Sequence, residues 1–163
     1  MEIPIVNLDD EIVGYKDRSE IDYDNDIFRT ASLWITNNDG DVLLAQRKKD
    51  KKVDPGKWAE AVGGTVEGDD SYIDTVIREA KEELGLDYIE MKLGPKQFID
   101  TPCQYFVQWC FACINKSISS FVLQKEEVEQ IAWMPIDQLR KELKTKPDKY
   151  IKAMPKILEL LSK

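Results

Sequence analysis

The sequence predicts one α+β domain covering residues 1–163, in which a mixed β-sheet is sandwiched between α-helices. Three observations support this class. Short apolar segments bounded by turn residues indicate strands, helical patterns are scattered between and after them, and 163 residues with 42% hydrophobic side chains suit one domain of ordinary size. The sequence also lacks internal repeats and linkers rich in Gly, Pro or Ser.

The individual elements follow from hydrophobic periodicity and from turn residues. The first two strands form a hairpin that turns at Asp9 and Asp10 and belongs to an N-terminal extension covering residues 1–24. A second strong turn signal runs from Asn37 to Gly40. Strands are expected at residues 3–8, 11–16, 28–37, 41–47, 88–99, 103–115 and 128–134, and helices at residues 71–84, 136–144 and 148–162.

The charge balance and the residue types limit the possible functions. The chain has 23 Lys and Arg against 31 Asp and Glu, and the net charge of −8 argues against a nucleic-acid polymer or an anionic membrane as partner. It has no histidine, which excludes Ser-His-Asp triads, Cys-His dyads, histidine zinc sites and a histidine base. A small anionic ligand held through a metal ion is compatible with this composition.

The cysteines and the N-terminal sequence indicate a cytoplasmic protein. Three cysteines do not suit a disulfide framework. Cys110 and Cys113 lie three apart in a predicted strand and therefore on opposite faces, so we interpret them as small hydrophobic residues rather than a zinc or redox site. No apolar run reaches the length of about 18 residues that a membrane span needs, and the N-terminus lacks a signal-peptide pattern.

The helix at residues 71–84 is the most informative about function. Its predicted apolar stripe consists of Ile73, Val76, Ile77, Ala80 and Leu84. Glu79, Glu82 and Glu83 lie beside this stripe at spacings where like charges cost about 0.2–0.5 kcal/mol per pair. A hard cation such as Mg²⁺ or Mn²⁺ would offset that cost, whereas the glutamates alone could also form a solvated acidic face.

The ends of this helix are also predicted. Ser71, or one of the two aspartates before it, caps the N-terminus with Asp74 in the first turn, and Gly85 ends the helix. Arg78 lies four residues before Glu82 and is expected to hold it in place.

Together with the glycines before it, this helix resembles the Nudix box. The box pattern is Gly, five residues, acid, seven residues, Arg-Glu, a hydrophobic residue, any residue, Glu-Glu, any residue, Gly and a hydrophobic residue, and it runs here over residues 64–86. Asp70 stands where the family usually has Glu, and Ala80 fills the hydrophobic position. The PGKW segment before the box and the EEVEQIAWMPIDQL segment after it also resemble Nudix domains, so the resemblance covers most of residues 25–145.

The resemblance implies a Nudix fold with the box as a loop-helix-loop, and a metal-dependent pyrophosphohydrolase. In this reaction water attacks phosphorus in a nucleoside diphosphate derivative or a similar small molecule. It implies that Mg²⁺ or Mn²⁺ is bound by Glu79, Glu82, Glu83 and the carbonyl of Gly63. The residues expected to support the site are Gly64, Asp70, Arg78 and Gly85. Such ions neutralise the diphosphate, lower the pKa of bound water and polarise the bridging oxygens.

A further acid outside the box is expected to complete the catalytic set. Because the chain lacks histidine, the base would be a carboxylate or a metal-bound hydroxide. Family members often carry an acid six residues before a tryptophan, and Glu127 has this spacing to Trp133. The resemblance therefore favours Glu127 as an additional metal ligand or base, with Glu126 as second choice and a solvated turn as the alternative for both.

Substrate contacts are expected from the basic loop before the box. Its cations could steer phosphates or simply face solvent, and they are Arg47, Lys48, Lys49, Lys51, Lys52 and Lys57. We expect Arg47, Lys57 and Trp58 to bind substrate. Trp58 and the alternating aromatic residues at 105–111 could stack on a base, although this spacing is more typical of a core.

Two other functions are possible on the same fold. The layout is closest to the branch similar to isopentenyl-diphosphate isomerase, but Ala61 and Val62 occupy the region of the isomerase cysteine and the histidine ligands are absent. A catalytically silent Nudix-fold module could bind a nucleotide and act in regulation, although the intact glutamates argue against it. The substrate class is left open between nucleoside triphosphates, nucleotide sugars and non-nucleotide diphosphates. The N-terminal hairpin could also pair across a homodimer.

Overall fold

The computed structural model describes residues 1–162, in which a mixed sheet lies between helices as predicted. The strands of this part of the chain are β1 (Glu2–Val6), β2 (Ile12–Asp17), β3 (Ile27–Thr36), β4 (Val42–Arg47), β5 (Trp58–Glu60), β6 (Val62–Thr65), β7 (Lys92–Ile99), β8 (Gln104–Cys113) and β9 (Val128–Met134). The helices are α1 (Tyr72–Leu84), α2 (Ile136–Thr145) and α3 (Met154–Leu161).

The long strand β3 organises the sheet. It pairs in parallel with β8 from Ile27 to Thr36 and antiparallel with β6 from Thr30 to Leu33. It meets β4 next to the turn, where Thr36 pairs with Val42, and β4 then pairs with β9 and β5 instead. The sequence therefore predicts this turn correctly, but the two strands diverge beyond it and do not form an extended hairpin.

Each face of the sheet carries its own hydrophobic core, because alternate residues of a strand point to opposite sides. Leu33 and Ile35 pack on the face covered by α1, whereas Trp34 packs on the face covered by α2 and α3. Trp109 is fully buried on that second face, and its ring meets the Trp34 ring edge-on at 5.9 Å. The sheet is thus sandwiched between helices, and Trp109 belongs to the core rather than to a ligand surface.

Two helical predictions need correction. Ile73 and Ile77 of the predicted stripe are exposed, because α1 packs mainly on β3 and β6 and buries only a narrow face. The buried residues of α1 are Thr75, Val76, Ala80 and Leu84. The last helix begins at Met154 rather than at residue 148. Pro147–Lys149 form a short 3-10 helix instead, and Tyr150 then forms a β-bridge with Trp58, which separates this turn from α3.

The three cysteines are free thiols, with Cys103 and Cys110 buried and Cys113 exposed. Cys110 and Cys113 therefore lie on opposite faces of β8, as predicted. None of the helices in residues 1–162 is long and apolar enough to cross a membrane.

The N-terminal hairpin is fixed to the remaining fold by Asp10. Its carboxylate accepts hydrogen bonds from Arg29 Nε at 2.7 Å, Tyr72 Oη at 2.9 Å and Lys96 Nζ at 2.5 Å, which lie on β3, α1 and β7. Burial alone would raise the pKa of Asp10, but these three donors outweigh it and leave the pKa below its ordinary value. One side chain therefore ties the hairpin to three separate elements.

Asp10→Asn is expected to lower the free energy of unfolding by about 1–3 kcal/mol, because Arg29 and Lys96 lose their ionised partner. Asn suits the left-handed backbone of this position, where φ is 60°, so the variant keeps the turn while it removes the charge and one acceptor oxygen. Since the pKa is lowered in the folded state, the difference should be present above about pH 4 and disappear as the pH falls through that lowered pKa. Urea unfolding across pH measures it.

Asp9→Asn is the matched control, because Asp9 is exposed and contributes its backbone N–H to the same turn. Equal stability of the Asp10 variant and the wild type at pH 7 would contradict the anchoring role.

Candidate active site

Local sequence signals fix both ends of α1. Ser71 Oγ accepts a hydrogen bond from the Asp74 backbone N–H at 3.1 Å, and the Asp74 carboxylate accepts one from the Ser71 N–H at 3.0 Å. This reciprocal capping box selects Ser71 from the possible caps. Gly85 ends the helix in the left-handed conformation, with φ at 69°, which is the geometry that favours glycine.

Strand β6 lies against α1, and its two glycines make room for acidic side chains. A Cβ atom at Gly64 would overlap the Glu79 carboxylate. A Cβ atom at Gly63 would lie 2.7 Å from Ser32 Oγ and 3.0 Å from Glu60 Oε1. Both positions therefore need glycine for close approach rather than for an unusual backbone angle.

The three box glutamates occupy different environments along α1. Glu83 is turned towards β6, where its Oε2 accepts a hydrogen bond from Gly63 N–H at 3.2 Å. Glu79 Oε1 accepts a hydrogen bond from Arg78 Nη1 at 2.8 Å. Glu82 is half exposed, and its carboxylate lies 4.0 Å from Arg78 Nη1. Arg78 is thus within ion-pair distance of Glu82, as expected from their spacing, but its shorter contact is to Glu79.

Arg78 is surrounded by carboxylates. Its Nε lies 3.5 Å from Asp70 and its Nη2 lies 3.8 Å from Glu67, in addition to the contact with Glu79. The Arg78 guanidinium therefore offsets the negative charge of these three carboxylates. Asp70 contributes at the outer edge of this group, where its side chain is 41% exposed.

Burial and mutual repulsion disfavour the ionised forms of two glutamates. Burial raises the pKa of Glu79 to about 7, although the Arg78 charge opposes the shift. Burial also raises the pKa of Glu83 well above its ordinary value, and the nearby charges of Glu79, Glu127 and Glu60 add to the effect. A cation at this position would favour the ionised forms of both.

These side chains line a cavity of about 670 Å³ between α1, β6 and the ends of β4 and β9. Its acidic lining residues are Glu60, Glu67, Glu79, Glu82, Glu83 and Glu127. Its basic lining residues are Arg18, Arg47, Lys51 and Arg78. Acidic and basic side chains therefore line the same cavity.

The structure brings most of the expected site residues together. Gly63, Gly64, Arg47 and Glu127 line the cavity with the box glutamates, and Lys51 forms an ion pair with Glu127. Lys57 and Trp58 lie elsewhere: Lys57 Nζ donates to the Asp148 carbonyl, and Trp58 packs against the core beneath α2 and α3.

Two residues that line the cavity, Arg18 and Glu60, were not predicted from the sequence. Arg18 comes from the N-terminal extension and forms an ion pair with Glu67 at 2.7 Å. No local sequence pattern predicts this contact. Glu60 could have been recognised as a site candidate, because it is a charged residue at the end of a short strand and the next residues, Ala61 and Val62, are buried. A charged residue followed by buried positions calls for an explanation.

The donor set fits a hard divalent cation, although it is not a preformed cage. Within residues 1–162, no group of three or more acidic, cysteine or histidine side chains is already arranged to hold a metal ion. Three of the carboxylates instead accept a hydrogen bond from the protein: Glu79 from Arg78, Glu83 from the Gly63 N–H and Glu127 from Lys51. All the available ligands are oxygen atoms, which Mg²⁺ and Mn²⁺ prefer.

Comparison with known proteins gives a consistent result. A family model described as the NUDIX domain matches residues 27–156, which begins at β3 and leaves the N-terminal hairpin outside. The prenyl-diphosphate phosphatase of Methanosarcina mazei is 26% identical over 155 residues, covering 91% of this chain and 88% of that protein. The uncharacterized Nudix hydrolase YfcD of Escherichia coli strain K12 is 26% identical over 138 residues, covering 84% of this chain and 75% of that protein.

Among solved structures, the DR0079 protein of Deinococcus radiodurans superposes with a TM-score of 0.84. The match covers 98% of each chain at 18% sequence identity. At this identity the likeness supports the fold alone, and it extends to the N-terminal hairpin that the family model leaves out.

The crowded carboxylates are expected to make the metal-free protein less stable as the pH rises. The pKa values of Glu79 and Glu83 are raised in the folded state. Their stabilising contribution to the free energy of unfolding is therefore present below about pH 4.5 and is lost as the pH rises through about 7 and above. Glu83→Gln can still accept the Gly63 hydrogen bond but carries no charge. In EDTA at pH 9 it should raise the free energy of unfolding by about 1 kcal/mol or more.

Glu129→Gln serves as the control, because Glu129 is half exposed and paired with Lys48. A Glu83→Gln variant that is no more stable than the wild type at pH 9, with the same pH dependence, would contradict the repulsion inferred here.

Proposed function

The chain belongs to the Nudix hydrolase family, and from that premise we propose that it is a Mg²⁺- or Mn²⁺-dependent pyrophosphohydrolase. It cleaves a diphosphate linkage in a nucleoside diphosphate derivative or a similar small molecule by attack of water on phosphorus. The observation that carries the proposal is the single cavity in which buried box glutamates and several cations face each other. A cytoplasmic location, supported by the three free thiols, belongs to the same proposal.

The carboxylates Glu79, Glu82 and Glu83, with Glu127 and the Gly63 carbonyl, would hold the divalent cation. When bound, such an ion neutralises diphosphate charge and makes a bound water more acidic. Glu83 has the strongest electrostatic reason to take part, since burial and neighbouring carboxylates raise its pKa. Arg78 contacts Glu79 at 2.8 Å and acts as a positioning residue rather than a substrate contact.

Three cations of the cavity suit the phosphate groups. Arg47 is held at the end of β4 by a hydrogen bond from its Nε to the Val53 carbonyl at 3.1 Å, which leaves the outer nitrogens for a ligand. Lys51 lies beside it on the basic loop, and Arg18 approaches from the N-terminal extension. These three cations lie among the acidic residues of the cavity, where they would bind the phosphate groups of a substrate whose diphosphate is held by the divalent cation.

Glu127 is proposed as the base that takes the proton from the attacking water, or as a further cation ligand. It lines the cavity and lies close enough to Glu83 for its charge to raise the pKa of that residue. Its neighbour Glu126 is exposed and does not line the cavity. This difference supports Glu127 over Glu126, the same order that the family resemblance gives.

The relative from Methanosarcina mazei, named a prenyl-diphosphate phosphatase, supports a small-molecule diphosphate as substrate. No specific observation favours the catalytically silent module, because the cavity retains both the acidic residues and the phosphate-binding cations.

Glu82→Gln and Glu83→Gln should each lower kcat by about 10²- to 10⁴-fold, because each removes a charged oxygen ligand while keeping the side-chain shape. Phosphate release with saturating Mg²⁺ measures the effect, and circular dichroism checks the fold. Glu129→Gln should keep the wild-type rate. Wild-type rates in both box variants would refute the metal assignment.

Glu127→Gln and Glu126→Gln form a matched pair of adjacent residues. We expect Glu127→Gln to lower kcat by about 10²-fold and Glu126→Gln to leave kcat within about twofold, because only the first faces the cavity. Rates measured across pH would show whether Glu127 supplies a titrating base. Equal effects of the two substitutions, or a larger effect at Glu126, would contradict the role of Glu127.

A further inference from the structure

A second cavity of about 370 Å³ adjoins the one that holds the box glutamates. The two share Arg47, Lys51 and Glu60 in their lining. A diphosphate in the first cavity would therefore direct the remaining part of the substrate into the second. The lining of the second cavity then determines which organic group is accepted.

One wall of the second cavity is aromatic. Phe28 and Tyr105 stack with ring centroids 5.7 Å apart, and Tyr23 meets Phe28 edge-on at 6.0 Å. A flat ring and a hydrocarbon chain can both pack against such a wall, so the wall alone does not select between these two kinds of organic group.

Glu60 supplies the discriminating polar group. Its Oε1 accepts a hydrogen bond from Ser32 Oγ at 3.0 Å. Its Oε2 is buried and has no hydrogen-bond partner among residues 1–162. Glu60 lines both cavities, and Gly63 lacks the Cβ that would crowd Glu60 Oε1 and Ser32 Oγ. A buried acceptor without a donor is uncommon in proteins and indicates a missing partner.

We propose that Glu60 selects the organic part of the substrate, its Oε2 accepting a hydrogen bond from an N–H donor on a flat ring that lies against the wall of Tyr23, Phe28 and Tyr105. The exocyclic amino group of a nucleobase is such a donor. The inference rests on the proposed function, because it assumes that the diphosphate occupies the first cavity.

The same geometry disfavours a prenyl chain. A hydrocarbon would cover the aromatic wall but would leave Oε2 buried and without a donor, which is the more costly arrangement. Sites built around a hydrogen bond reject analogues that lack the donor far more strongly than apolar pockets reject a misfit. The chain should therefore differ in specificity from its relative named a prenyl-diphosphate phosphatase.

The test measures binding of non-hydrolysable α,β-methylene diphosphates by calorimetry in Mg²⁺. The ligands are the analogues of adenosine, cytidine and guanosine, the same three nucleotides without the exocyclic amino group, and a geranyl analogue. We expect the best amino-bearing ligand to bind at least about tenfold more tightly than its counterpart without the amino group and than the geranyl ligand. This comparison uses the wild-type protein, so it does not depend on the folding of a variant.

Glu60→Leu should bring those affinity ratios close to one, whereas Glu60→Gln, which keeps an acceptor oxygen, should retain part of the preference. Glu129→Gln is the control and should behave as the wild type. Calorimetry with Mn²⁺ alone should give the same affinity for the wild type and Glu60→Leu.

Three results would overturn the proposal. The first is equal affinity of the wild type for ligands with and without the amino group, and the second is no binding of any ligand. The third is an equal loss of affinity for all ligands in Glu60→Leu together with weakened Mn²⁺ binding, which would make Glu60 a cation ligand. If the expected ratios hold but none of the hydrolysable parent compounds is cleaved, the proposed hydrolysis fails and the role of Glu60 stands.

Discussion

The missing Cβ atom at Gly64 allows the Glu79 carboxylate of α1 to pack directly on β6, where Glu83 also accepts a hydrogen bond from the Gly63 N–H. This contact places negative charge in a largely buried position, where burial and like charges oppose ionisation. Arg78 and one backbone N–H compensate only part of the cost. The site is therefore arranged so that a cation would stabilise it.

The divergence of β3 and β4 after their shared turn provides the room for that site. β3 carries β6 and α1 on one side, while β4 carries Arg47 and its neighbour β5 carries Glu60. The N-terminal hairpin, anchored through Asp10, brings Arg18 to the remaining edge. Acidic groups thus come from the box, from β5 and from the segment before β9, and the basic residues come from the segments around them, so that side chains of both charges line one cavity.

Most of the fold and the centre of the site could be predicted from the sequence because they depend on local patterns. The capping of α1, its end at Gly85 and the spacing of its glutamates are all encoded within residues 64–86. The contacts that were missed or misassigned depend on distant segments. Arg18 meets Glu67 across 49 positions, and Tyr150 pairs with Trp58. Periodicity also placed Ile73 and Ile77 in the core, although α1 buries too narrow a face to include them.

Metal-dependent hydrolysis is tested most directly by phosphate or pyrophosphate release from a panel of diphosphate compounds, with Mg²⁺, with Mn²⁺ and with EDTA. The panel contains nucleoside triphosphates, nucleotide sugars, ADP-ribose, dinucleoside polyphosphates, coenzyme A and prenyl diphosphates. We expect release from at least one compound that requires the divalent ion and stops in EDTA. Release that continues unchanged in EDTA, or no release from any compound by a protein that binds Mg²⁺ or Mn²⁺ in calorimetry, would contradict metal-dependent hydrolysis.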